Sequence, residues 1–78
     1  MNKEHNISHK LDLRGVSCPM NFVKTKLQLE KMNVGEILEV WIDLGEPVES
    51  VPPSVVEEGY EILLEEEVDN YFKLLIKK

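Results

Sequence analysis

Cys18 is the chain's single cysteine, and Pro19 follows it directly within RGVSCPMNF, Arg14 to Phe22. Proline opens a helix well, because the N–H it lacks would have no partner there. The pair therefore reads as a helix start, with Cys18 at the N-cap and Pro19 at the first helical position. Oxygen side chains usually fill an N-cap because they accept bonds from the free amides of the first turn, at the second and third helical positions. A neutral thiol does this poorly and a thiolate does it well. Those amides and the helix dipole favour the ionised sulfur, and such placement moves a thiol from about 8.5 to roughly 3.5–7.5. The residues alone leave two readings of Cys18 open: a nucleophilic thiolate, or a small buried hydrophobe at a strand-to-helix turn.

The missing residue types narrow the chemistry. One cysteine forms no intramolecular disulfide and no C-x-x-C redox pair, and with His5 and His9 it does not make a structural zinc site. Both histidines fall in the polar leading segment, residues 1–9, which is expected to be flexible. A Cys–His hydrolytic pair is therefore not expected, and neither metal nor cofactor is implied. A lone thiolate can still relay a sulfur atom as a persulfide, form a mixed disulfide or sense oxidants.

The elements that must position Cys18 follow from periodicity. Leu11 and Leu13 alternate with Asp12 and stop at Gly15, the pattern of a short strand. From Pro19 to Asn33, Phe22, Thr25, Leu29 and Met32 share one helical face, and Gly35 ends the helix. EILEVWIDL is a second strand, with Leu38, Val40 and Ile42 on one side and Ile37, Glu39, Trp41 and Asp43 on the other. A loop from Gly45 leads to a short helix around Pro53 to Glu58, closed by Gly59. YEILLEEE and NYFKLLIKK form a hairpin around VDN. The order β-α-β-α-β-β predicts an α+β fold, a two-layer sandwich with both helices on one face of a four-stranded mixed sheet. Its core is expected to hold Leu11, Leu13, Phe22, Leu29, Met32, Leu38, Val40, Ile42, Val55, Ile62, Leu64, Phe72, Leu74 and Ile76. The other sheet face is expected to show Ile37, Trp41, Leu63, Tyr71 and Leu75.

The 78 residues suit one domain, placed at residues 10–78. Nine basic against fifteen acidic residues give a net charge of −6, which argues against phosphate-backbone or anionic-lipid binding and favours a basic protein surface as partner. RNA binding is disfavoured further by the absence of an aromatic and basic platform. The leading residues lack the apolar centre of a secretory signal and no apolar run suits a membrane span, so a cytoplasmic protein is expected.

LDLRGVSCPMN, followed by helix, strand, helix and hairpin, resembles the TusA-like family of sulfur-carrier proteins, over about Lys10 to Lys78. That family's signature is a leucine-aspartate strand, a glycine and a Cys-Pro-x-Pro helix start. Leu11, Asp12, Gly15, Cys18 and Pro19 match it. The resemblance implies that Cys18 accepts persulfide sulfur from a cysteine desulfurase or rhodanese-like donor and passes it to an acceptor in thiolation or cofactor synthesis. Asn21 replaces the second proline, making this a Cys-Pro-x-Asn variant. It restores a backbone donor and adds a side-chain amide, so it is expected to give the sulfur anion more hydrogen bonds and lower its basicity. It also reads as a solvated polar residue of a first helical turn.

Around this site, Met20, Val23 and Leu27 form a second apolar stripe on the helix. Met20 is the best candidate for partner contact, whereas Val23 and Leu27 are expected to pack against the second helix. Arg14, Lys24 and Lys26 form a local positive edge. Asp43 and Glu46 fall in a loop that relatives of similar fold bring near the cysteine end. A regulatory or redox-sensing binding module, or a selenium-related carrier, is the alternative function. The sheet's free face could support self-association, and the oligomeric state stays open.

Overall fold

The computed structural model describes residues 7–17 and 19–78. Expectations that fall on residues 1–6 and on Cys18 lie outside the described residues. The elements are β1 His9–Asp12, α1 Met20–Lys31, β2 Ile37–Asp43, α2 Glu46–Glu57, β3 Glu61–Val68 and β4 Tyr71–Lys77. The sheet order is β1-β2-β4-β3. β1 runs parallel to β2, whereas β4 runs antiparallel to both β2 and β3. The fold is the α+β sandwich expected: Leu38, Val40, Ile42, Leu74 and Ile76 alternate onto one sheet face and join Leu29 of α1, its C-cap Met32, and Val51 and Val55 of α2 in a single core. Burial of that face, not helix propensity, holds two 12-residue helices in place.

Three details depart from the sequence pattern. β1 takes in His9, whose Nε2 lies 3.5 Å from Glu36 Oε1, and Ser8 N–H donates to Ile37 C=O at 2.8 Å. The sheet thus begins inside the segment read as flexible. α2 starts at Glu46, well before Pro53, and runs through Pro52 and Pro53. An interior proline removes a helical hydrogen bond and costs about 3 kcal/mol. Val51, Pro52 and Val55 are nevertheless buried, with Val48 packed beside them, and this apolar spacing overrides the breakers.

The third departure is a register shift in β3 between Ile62 and Leu64. Ile62 pairs with Ile76 on the core side, but Leu64 pairs with Leu75 on the helix-free side. Leu64 is therefore not a core residue, because an extra residue in the ladder turns the following side chains over. On that helix-free face Ile37, Glu39 and Leu75 are buried rather than displayed. They lie on the two central strands, β2 and β4, where neighbours on both sides cover them.

Candidate functional site

Parallel strands β1 and β2 end at Asp12 and Asp43, on the same edge of the sheet, and β4 begins there with Tyr71 opposite Asp43. The chain leaves this edge through Leu13 to Ser17, passes position 18 and enters α1. Leu13 N–H still donates to Trp41 C=O at 2.8 Å, and Val16 N–H turns back to Leu13 C=O at 3.1 Å. Gly15, with φ of 83°, adopts a backbone that other residues rarely take. Its N–H donates to Asp43 Oδ2 at 2.8 Å. The segment before Cys18 is thus tied to β2 at two points.

Arg14 provides a third tie. Its Nε and Nη2 donate to Asp12 Oδ1 and Oδ2 at 2.9 and 2.8 Å, a bidentate fork, and its backbone N–H reaches Oδ1 at 3.1 Å. The guanidinium carbon lies 4.9 Å from the Trp41 ring centre and 5.1 Å from that of Tyr71, and the two rings pack at 4.9 Å. Hydrogen bonding from the Arg14 side chain, then from its backbone, holds the Asp12 carboxyl down at about 2, below its ordinary 3.8. The same hydrogen bond raises the Arg14 pKa. The Trp41 indole donates in turn to Glu39.

At the head of α1 the helix begins at Met20, and Pro19 is the N-cap with φ −97° and ψ 9°. This places Pro19 one position earlier than the sequence reading, outside the helical dihedral region; its missing N–H is equally harmless there. Asn21 N–H donates to Ser17 C=O at 3.1 Å, and Val23 N–H to Pro19 C=O at 3.0 Å. The backbone donor that Asn21 was expected to offer the sulfur is therefore engaged by Ser17. Asn21 is not solvated either: it is 0 % exposed, on the face that Thr25 and Leu29 turn to the core. Its Oδ1 accepts the Phe22 N–H at 2.7 Å, and Thr25 Oγ1 donates to its carbonyl at 2.8 Å. Its Nδ2 is buried and has no partner among the described residues.

Asp12, Arg14, Gly15, Pro19 and Asn21 thus frame the residues on either side of Cys18, while Cys18 itself is outside the described residues. Met20 is 47 % exposed, and Lys24 is exposed with no ion pair among the described residues. Val23 and Leu27 are not buried by α2: they stay 36 % and 52 % exposed and extend the Met20 stripe along α1. The expected positive edge is not shared, because Arg14 pairs with Asp12 and Lys26 lies 3.4 Å from Glu58, the C-cap of α2. Sequence reasoning missed the clustering of Trp41 and Tyr71 around Arg14. Part of the signal was present: strand period puts Trp41 and Asp43 on one face, but the antiparallel pairing of β2 with β4 that sets Tyr71 opposite Asp43 joins strands far apart in sequence.

The family model described as Sulfurtransferase TusA matches residues 9–78. The chain belongs to the TusA family. Over 69 residues it is 51% identical to an Archaeoglobus fulgidus protein named "Putative sulfur carrier protein", covering 87% of this chain and 78% of that protein. A Thermotoga maritima protein of the same name is 43% identical over 75 residues, covering 95% of each. A crystal structure of a SirA-like protein from Desulfitobacterium hafniense superposes with a TM-score of 0.79 at 19% identity, over 90% of this chain and 96% of that one, so it shares the fold. The family and the names of these relatives support a sulfur-carrier role. No helix among the described residues is long and apolar enough to cross a membrane.

Proposed function

We propose that this TusA-family protein carries sulfur as a persulfide on Cys18. The Cys18 thiolate attacks the terminal sulfur of a donor persulfide, R–S–SH. A new S–S bond forms to Cys18, the donor's S–S bond breaks, and the donor leaves as a thiolate. The acceptor's nucleophile later attacks the same terminal sulfur, and Cys18 departs as a thiolate. A helix terminus favours the thiolate in both its attacking and its leaving roles.

The observation that carries this reading is the bracing of the segment before Cys18, through Gly15 on Asp43 and Arg14 on Asp12, onto the head of a 12-residue helix. Such bracing supplies positioning, which is what a relay without a catalytic base requires. The donor is of the cysteine desulfurase or rhodanese type, and the acceptor serves thiolation or cofactor synthesis in a reducing cytoplasm. Met20, with Lys24 beside it, forms the first contact with both partners. An exposed apolar stripe next to the transferring atom suits transient docking.

The test is intact mass spectrometry of the wild type and Cys18→Ser after incubation with a cysteine desulfurase and cysteine, and separately with a rhodanese and thiosulfate. Gain of one sulfur atom by the wild type alone, removed by reductant, is expected. No gain from either donor, by a protein whose Cys18 still alkylates as a thiolate, overturns the reading.

A further inference from the structure

The first turn of α1 holds one buried donor without a partner. Asn21 N–H is taken by Ser17 C=O and Phe22 N–H by Asn21 Oδ1. The bond to Phe22 fixes the Asn21 side-chain amide at the helix N-terminus, so its NH2 group lies in that same turn. Asn21 is 0 % exposed and its Nδ2 has no partner among the described residues. A buried polar group left unpaired is strongly disfavoured, and native proteins rarely keep one without a use for it. The unused donor, the positive end of the helix dipole and the buried setting together suit an anion.

We propose that Asn21 is a positioning residue for the sulfur anion of Cys18, donating from Nδ2 to the thiolate and to the terminal sulfur of the persulfide. The persulfide part of this inference rests on the carrier reading above; the thiolate part does not. Asn21 lies three positions after Cys18 in the sequence and two after the N-cap Pro19, and helical side chains lean toward the N-terminus. The side chain thus replaces the backbone amide that Ser17 has engaged. It favours the ionised sulfur over the thiol, and it holds the anion while either partner approaches. It forms no covalent bond with the transferred sulfur and takes no proton; it acts on the charge and position of the sulfur that Cys18 holds.

The test is the pH dependence of Cys18 alkylation by iodoacetamide in purified wild type, Asn21→Leu and Asn21→Asp, with circular dichroism to show that each is folded. Loss of one charge-assisted hydrogen bond should place the alkylation midpoint of Asn21→Leu about one pH unit higher than in the wild type. Asn21→Asp keeps the acceptor for Phe22 but sets a carboxylate where the amide was, and its midpoint should rise at least as far. If the amide only caps Phe22 or fills space, Asn21→Leu changes the melting temperature and leaves the midpoint where it was. An unchanged or lowered midpoint in a folded variant overturns the proposal. Should Asn21→Leu fail to fold, Asn21→Asp decides alone. Sulfur loading of the wild type is scored separately: loading with an unshifted midpoint refutes the role of Asn21 and leaves the carrier reading intact. A shifted midpoint without loading does the reverse.

Discussion

Gly15 N–H donates to Asp43 Oδ2 at 2.8 Å across 28 positions of sequence. This bond joins the turn before Cys18 to the end of β2, at a glycine whose φ of 83° excludes ordinary side chains at little strain. Asp43→Ala removes the acceptor of an exposed hydrogen bond, a net contribution of about 0.5–1.5 kcal/mol. The variant should stay folded, lose about that much stability in urea, and show faster hydrogen exchange at Gly15 than at Leu38. Unchanged exchange at Gly15 would show that the turn is held by its other ties.

Asp12 and Arg14 predict a pH signature. The Asp12 carboxyl is held at about 2 by the Arg14 hydrogen bonds, below its ordinary 3.8. A depressed carboxyl stabilises the fold fully above its ordinary value, and the contribution is lost as pH falls through 3.8 toward 2. Carbon NMR of the Asp12 carboxyl should give a midpoint near 2 in the wild type and a higher one in Arg14→Ala, short of 3.8 because the backbone N–H at position 14 still donates. Both side chains are largely exposed, so global stability at neutral pH should change little. Trp41 fluorescence should change, because Arg14 leaves the ring it covers.

The two prolines of α2 allow a gain. Pro53 is exposed and has no N–H for the Glu49 carbonyl one turn back, whereas Pro52 is buried and packs. Pro53→Ala supplies the missing hydrogen bond and a better helix former, offset in part by a more flexible unfolded chain. Stability should rise by about 1 kcal/mol, read as a higher urea midpoint with unchanged slope. A fall would mean that the Pro53 ring is needed for the path of α2.

Alternation and helical spacing revealed most of the fold, because a strand that buries one face must alternate; Leu38, Val40 and Ile42 are all core. The same logic failed at Leu64, where a bulge interrupts the period, and at α2, where two prolines masked an apolar face made by Val48, Val51 and Val55. Within the site, Pro19 correctly marked the helix start to within one residue. Asn21 was read as a polar residue facing water, or as one offering the sulfur both a backbone N–H and a side-chain amide, whereas the N–H is engaged and the side chain is buried. Local spacing placed Phe22, Thr25, Leu29 and Met32 on the core face; the last three are buried and Phe22 packs half-buried against the core, but Asn21 is buried beside them where the pattern gave it no place. Which face of an amphipathic helix meets the sheet is decided by the docking angle, which spacing does not contain.

Met20, Val23 and Leu27 make a further prediction, because each is more than a third exposed along α1. A substitution there removes little buried area, so Leu27→Glu should alter stability by no more than about 0.5 kcal/mol. It should not move the Cys18 alkylation midpoint either, since Leu27 lies nearly two turns from the helix start. If the stripe is where a persulfide donor docks, loading of Leu27→Glu and Met20→Glu should need several-fold more donor to reach half its maximal rate. The maximal rate itself should be nearly unchanged for Leu27→Glu. Lys24→Glu should slow loading most at low salt, as a charge that steers encounter does. Loading curves of all three variants that superpose on the wild type would place the donor elsewhere, and the helix-free face around Arg14, Trp41 and Tyr71 would then be the surface to mutate.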